Sequence, residues 1–151
     1  MELDLEALST MRWLILLMLT LVSVGSAGAL TLVEGSKSNY VVVVGANAIP
    51  AEQFAAEELV LHVKRMSGVE LPIVTDATPL PDPAILLGKT RHLEKLGVEI
   101  DWQQFGKEDH LLQVTGDHLI IAGGRPRGVL YGVYALLVRA RYQPHTPARD
   151  D

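Results

Sequence analysis

The apolar positions of this chain fall into runs of different character. Tyr40-Val41-Val42-Val43-Val44 is a short β-branched run ending at Gly45, which predicts a buried strand. Gly45 to Pro50 reads as a turn, with Pro50 suited to the first position of a helix. From Ala51 to Met66 the apolar residues recur at helical spacing. Ala51, Ala55, Leu59, Val63 and Met66 fall on one stripe with Phe54 beside it, while Glu52, Glu57, Glu58, Lys64 and Arg65 mostly face away. Acids lie early and bases late, as the helix dipole favours, and Gly68 closes the helix.

Val69 to Val74 predicts a second strand. Pro72 has no N–H for a ladder, which places this strand at an edge. After a Pro-rich loop over 76–83, Ala84 to Gly88 predicts a third strand, Thr90 to Leu96 a short helix, and 97–106 irregular chain. In the next segment His110, Leu112 and Val114 share one face of a strand. Gly116-Asp117 is a two-residue hairpin turn, and Leu119 to Ala122 returns. Pro126 opens a last helix, with Leu130, Val133 or Tyr134, and Leu137 on its apolar stripe. Gly128, Gly132 and Ala135 form a second, bare stripe. Each interior glycine costs about 1 kcal/mol relative to alanine, so this face is expected to lie close against a neighbour. The succession predicts an α/β sandwich: a mixed sheet with a hairpin and two main helices packed on one face.

The run Trp13 to Val22 is of another kind. It is almost purely apolar and shorter than the roughly 20 residues a membrane span needs. Arg12 precedes it, small residues follow, and Ala27-Gly28-Ala29 fits a signal-peptidase site. Glu2, Asp4 and Glu6 are wrong for a signal n-region, and Met11-Arg12 makes a better start. A buried core helix is the competing reading, and the small-residue exit and the composition shift count against it. Residues 1–29 are therefore expected to be a signal peptide cleaved after Ala29, 30–140 the folded domain, and 141–151 a truncated or aberrant tail. The protein is expected to be exported, with no membrane span once the signal is removed.

Composition narrows the chemistry. Of 151 residues, 48% are hydrophobic and 21% charged, an ordinary globular balance. The formal net charge of −5, or −3 without residues 1–29, gives no electrostatic footing for nucleic acid. The chain has no cysteine, which excludes disulfides, thiolate metal sites and a cysteine nucleophile. The histidines His62, His92, His110, His118 and His145 show no ligand spacing, so no metal is expected. Gly45 stands alone where a dinucleotide fingerprint needs three glycines. Gly123-Gly124-Arg125-Pro126-Arg127-Gly128 lacks the Lys-Ser/Thr ending of a phosphate loop and reads as a tight strand-to-helix turn. No cofactor is expected. Glu108 and Asp109 are adjacent and would point to opposite sides of a strand, so no carboxylate pair for acid–base catalysis is visible. Arg125, Arg127 and Trp102 are the candidate sugar or interdomain contacts. Core packing is the default for Tyr131 and Tyr134.

Several stretches taken together resemble a known family. They are Ala55-Ala56-Glu57-Glu58-Leu59, Met66 to Val74, Ile85-Leu86-Leu87-Gly88, and Leu119 to Leu137 with its Arg127-Gly128-Val129-Leu130-Tyr131-Gly132-Val133-Tyr134 core. The order and motifs resemble the N-terminal domain of family 67 α-glucuronidases. They are similar also to the corresponding domain of family 20 β-N-acetylhexosaminidases and of related uncharacterised bacterial proteins. In this motif Gly124, Gly128, Tyr131, Gly132 and Tyr134 are the structural residues. The resemblance implies a domain that precedes a catalytic (β/α)₈ barrel and carries no catalytic acid itself. The expected function is that of a non-catalytic accessory domain of an exported carbohydrate-active hydrolase, here without its barrel. The alternative is a free carbohydrate-binding or protein-interaction module. The stretch from Val138 to Pro147 departs from the family's continuation, which suggests a truncated gene or a fragment.

Overall fold

The computed structural model describes residues 30–141. Residues 1–29, expected to be a signal segment, and 142–151 of the expected 141–151 tail lie outside the described residues. Five strands form one sheet in the order β2-β1-β3-β5-β4. They are β1 (Val41–Val44), β2 (Ile73–Thr75), β3 (Ala84–Leu87), β4 (His110–Thr115) and β5 (His118–Gly123). β2, β1, β3 and β5 run parallel, and β4 pairs antiparallel with β5 through the predicted hairpin. The helices are α1 (Pro50–Ser67), α2 (His92–Lys95) and α3 (Gly128–Arg141). This is the expected α/β architecture.

The central strands are continuous apolar runs because both faces of the sheet are covered. Alternation divides their side chains between two cores. Val42, Val44, Ile85, Leu87, Leu119 and Ile121 meet α1 and α3, which contribute Leu59, Val63, Val129 and Val133 among others. Val43, Ala84, Leu86, Ile120 and Ala122 face the opposite way. There the cover is α2 and the chain after it, with Leu93, Leu96, Val98, Ile100, Trp102 and Phe105 packed on the sheet. The segment read as irregular is thus the second layer. It includes a 3-10 turn at Trp102–Gln104, begun by the Asp101 carboxylate accepting from the Gln103 amide at 3.1 Å.

Four details differ from the sequence reading. The edge strand β2 is shorter than predicted. Pro72 cannot donate, although its carbonyl accepts from the Val42 amide at 2.9 Å, and regular pairing starts only at Ile73. The buried stripe of α1 is Glu52, Ala55, Ala56, Leu59 and Val63. Met66 and Phe54 are 44% and 46% exposed, because the helix is rotated to bring Glu52 inward and its last turn overhangs the core. On α3 the inward residue is Val133, while Tyr134 points outward and donates to the Glu58 carboxylate of α1 at 2.9 Å. Pro126 stands in the turn before α3, which begins at Gly128.

The bare stripe of α3 does lie close against its neighbours. A Cβ on Gly128 would sit 2.3 Å from the Asp109 carbonyl oxygen, and one on Gly132 would sit 2.6 Å from Ile121 Cγ2. Gly124 is equally confined, with the Gly106 carbonyl oxygen 1.8 Å from where its Cβ would stand. The Gly-rich motif therefore seats the start of α3 directly on the β4–β5 hairpin. No side chain fits at Gly124 or Gly128 unless the backbone moves, and one at Gly132 would have to displace the Ile121 side chain.

Candidate functional site

In an open α/β sheet the loops after the parallel strands gather at one edge, where such folds place their ligands. Here that rim holds a cluster of polar contacts between elements. Its centre is Glu52, 3% exposed and at the N3 position of α1. One carboxylate oxygen, Oε2, accepts from the Ile49 amide at 3.1 Å, half of a capping box, since isoleucine has no oxygen to return the bond. Arg125, from the turn after β5, donates from Nε to Oε1 at 3.1 Å and from Nη2 to Oε2 at 3.2 Å. This is a bidentate pair of the kind arginine makes best. Gly88, after β3, closes the pocket from the other side. Its φ is +69°, and a Cβ there would lie 3.0 Å from the Glu52 carboxyl carbon. A residue with a side chain would be strained by the positive φ and would crowd the Glu52 carboxylate.

A second buried carboxylate, Asp76, ties three more loops. It accepts from the amides of Ala46 and Arg91, each at 2.8 Å, and the Arg91 Nε lies 3.8 Å away. Burial by itself raises the Asp76 pKa. The two amide bonds, the Arg91 charge and nearby His92 outweigh it and hold the carboxyl below its usual range. On the flank, Arg127 pairs with Glu108 at 3.0 Å, and the Asp109 carboxylate accepts from the Gly106 amide at 2.7 Å. Glu108 and Asp109 lie in the turn before β4 rather than within the strand. Trp102 stands in the second layer, its ring centroid 6.0 Å from that of Phe105, with the Lys89 ammonium 5.8 Å above it.

The three candidate contact residues are thus brought to one side of the molecule, each with an internal partner. Arg125 holds Glu52, Arg127 holds Glu108, and Trp102 covers the sheet. Phe105 links the groups, because its Cβ lies 3.1 Å from where a Gly124 Cβ would stand. The guanidinium groups of Arg125 and Arg127 remain half-exposed. The carboxylates at the rim are bound to amides or arginines of the chain itself. Sequence reading missed Glu52 and Asp76. Glu52 was legible in part: it stands three residues after Ile49, at the capping-box position. Asp76 carried no local signal.

Among the described residues no group of three or more His, Asp or Glu side chains could hold a metal ion. None of the described helices is long and apolar enough to cross a membrane. At the opposite end of the sheet an open apolar groove of about 620 Å³ runs between the ends of α1 and α3 and the hairpin. Leu30, Leu32, Met66, Leu112, Val114 and Leu136 are among its lining residues.

Three comparisons with known proteins bear on this fold. A family model described as "Glycosyl hydrolase family 67 N-terminus" matches residues 28–136. Among solved structures, a family GH115 4-O-methyl-α-glucuronidase with specificity for decorated arabinogalactans shares the fold, with a TM-score of 0.51 and 18% identity. The match covers 68% of the present chain and 14% of that one. No curated protein matches.

Proposed function

Since this chain belongs to the family of glycosyl hydrolase family 67 N-terminal domains, we propose that it is the non-catalytic accessory domain of an exported carbohydrate-active hydrolase. Its partner in this reading is a catalytic barrel outside residues 30–141. The observation that carries the proposal is the use of the rim carboxylates. Glycoside hydrolysis needs an acid and a base or nucleophile free to face the sugar, about 5–9.5 Å apart. Glu52, Asp76, Glu108 and Asp109 are instead occupied in holding loops together. A rigid, cross-braced rim suits a domain that presents a fixed surface to a neighbour, packing beside the barrel and forming one wall of its cleft.

The test is direct. The purified chain should not hydrolyse aryl glucuronides or aryl N-acetylglucosaminides above background. Glu108→Gln and Asp109→Asn serve as contamination controls. Turnover lost in either variant would place a catalytic carboxylate before β4 and end the accessory-domain reading. Export belongs to the same proposal and rests on the apolar run before Ala27-Gly28-Ala29. N-terminal sequencing of exported protein should begin at Leu30, and an intact N-terminus on cytoplasmic protein would contradict it.

A further inference from the structure

The two edges of the sheet are protected very differently. β2 is three residues long and preceded by Pro72, so it offers little to a further strand. β4 is six residues long, His-Leu-Leu-Gln-Val-Thr, with no lysine, no carboxylate and no proline. Among the described residues its one strand partner is β5.

The free side of β4 can be assigned residue by residue. Antiparallel pairs alternate between those that exchange backbone bonds and those that do not. The two-residue turn closes on Thr115 and His118, and the Gly124 amide donates to the Asp109 carbonyl at 2.9 Å. Residues 109, 111, 113 and 115 therefore bond toward β5. The amides and carbonyls of His110, Leu112 and Val114 point away from the sheet. Among the described residues none of those backbone groups has a partner outside the hairpin. Leu112 and Val114 also face the helix layer and line the apolar groove, and Val114 is 50% exposed.

We propose that this edge pairs with the same edge of a second copy, β4 against β4 across a twofold axis normal to the sheet. Such an axis pairs His110, Leu112 and Val114 among themselves, which satisfies their outward backbone groups and keeps the helix layers of both copies on one side. Charge distinguishes the two most central registers. Centred on Leu112, the pairing sets His110 opposite the partner's Val114 and brings Lys107, in the bend before each strand, to the partner's Asp117 turn. Moving the centre by one residue to Gln113 sets Asp109 opposite the partner's Asp117 instead, which like-charge repulsion disfavours. The product is a continuous ten-stranded sheet, isologous as a twofold contact requires. The strand is short and the contact area small, so the dimer is weak. It is expected to assemble at about 100 µM, well short of the affinity of a standard-sized interface.

Sedimentation equilibrium on the full chain across that range tests the proposal. A reversible monomer–dimer equilibrium is expected. Val114→Lys puts a charge on the edge, and Val114→Pro removes an outward amide. Each should weaken dimerisation at least about tenfold. An unchanged circular dichroism spectrum and thermal midpoint for Val114→Lys show that the fold is intact. Asp117→Lys should weaken the dimer, and adding Lys107→Asp should restore it. A chain that stays monomeric throughout overturns the proposal, including one whose β4 accepts a strand only from another protein. So does a dimer indifferent to Val114→Lys. A dimer that Asp117→Lys weakens and Lys107→Asp does not rescue overturns the Leu112 register.

Discussion

Arg125 and Glu52 are an unequal pair. The arginine is half in solvent, and the carboxylate is almost wholly out of it. Removing the arginine strands a buried charge, whereas neutralising the glutamate leaves a cation that water can solvate. Arg125→Met should therefore destabilise the fold by about 2–4 kcal/mol, and Glu52→Gln by less. Urea midpoints in the reverse order would show that the ion pair does not brace the rim. Asp76 makes a pH prediction. Its folded-state pKa lies below the unfolded value of about 3.9, because the amide bonds and Arg91 outweigh the burial that by itself raises it. Its stabilising contribution is thus complete above the unfolded value and is lost as pH falls through the folded one. Asp76→Asn should lose less stability than the parent chain on acidification from about pH 5 to pH 2. Parallel pH profiles would show that another group governs the acid limb.

At the level of elements, the two long helices hold the sheet in different ways. α1 does so with side chains, and the test lies in which residues of its stripe matter. Leu59 is fully buried, so Leu59→Ala should cost about 2–5 kcal/mol. Met66→Ala, on the overhanging last turn, should cost less than about 1 kcal/mol. α3 seats its first turns by the absence of side chains. Gly132→Leu would drive a side chain into Ile121 and should destabilise by about 1–3 kcal/mol, read as a lowered denaturation midpoint. An unchanged midpoint would mean that α3 can lift from the hairpin freely. The Gly128 and Gly132 signature is thus a packing device, which explains it without invoking a ligand.

For the whole molecule, the question is whether Trp102 serves the fold or a sugar. In the structure it is part of the cover on the second sheet face, over Ile120 and Ala122 as one apolar cluster. Trp102→Ala should then lower the unfolding free energy by about 2–4 kcal/mol. A change in binding to immobilised polysaccharide with no change in stability would instead make it a sugar platform and favour the free-standing binding module. One end of the sheet is locked by internal ion pairs, the other carries an open apolar groove, and β4 leaves its outer edge without a strand partner among the described residues.

The local elements were legible because local rules decide them. The valine run from Val41 has no helical period, Gly116-Asp117 fits a two-residue hairpin, and the spacing from Ala55 to Val63 is that of a helix. Pro72 marked its strand as an edge because a missing N–H is a property of the residue. The bare stripe of Gly128 and Gly132 announced a close contact, since glycine inside a helix is costly without one. Tertiary structure alone decided the strand order, the rotation of α1 that brings Glu52 in and leaves Met66 out, and which carboxylates leave solvent. Glu52 reads as an exposed helix residue until Arg125, 73 positions away, arrives to pair with it. Asp76 reads as a loop acid until the Ala46 and Arg91 amides converge on it. Burial of a charge depends on partners distant in sequence, and hydrophobic periodicity carries no record of them.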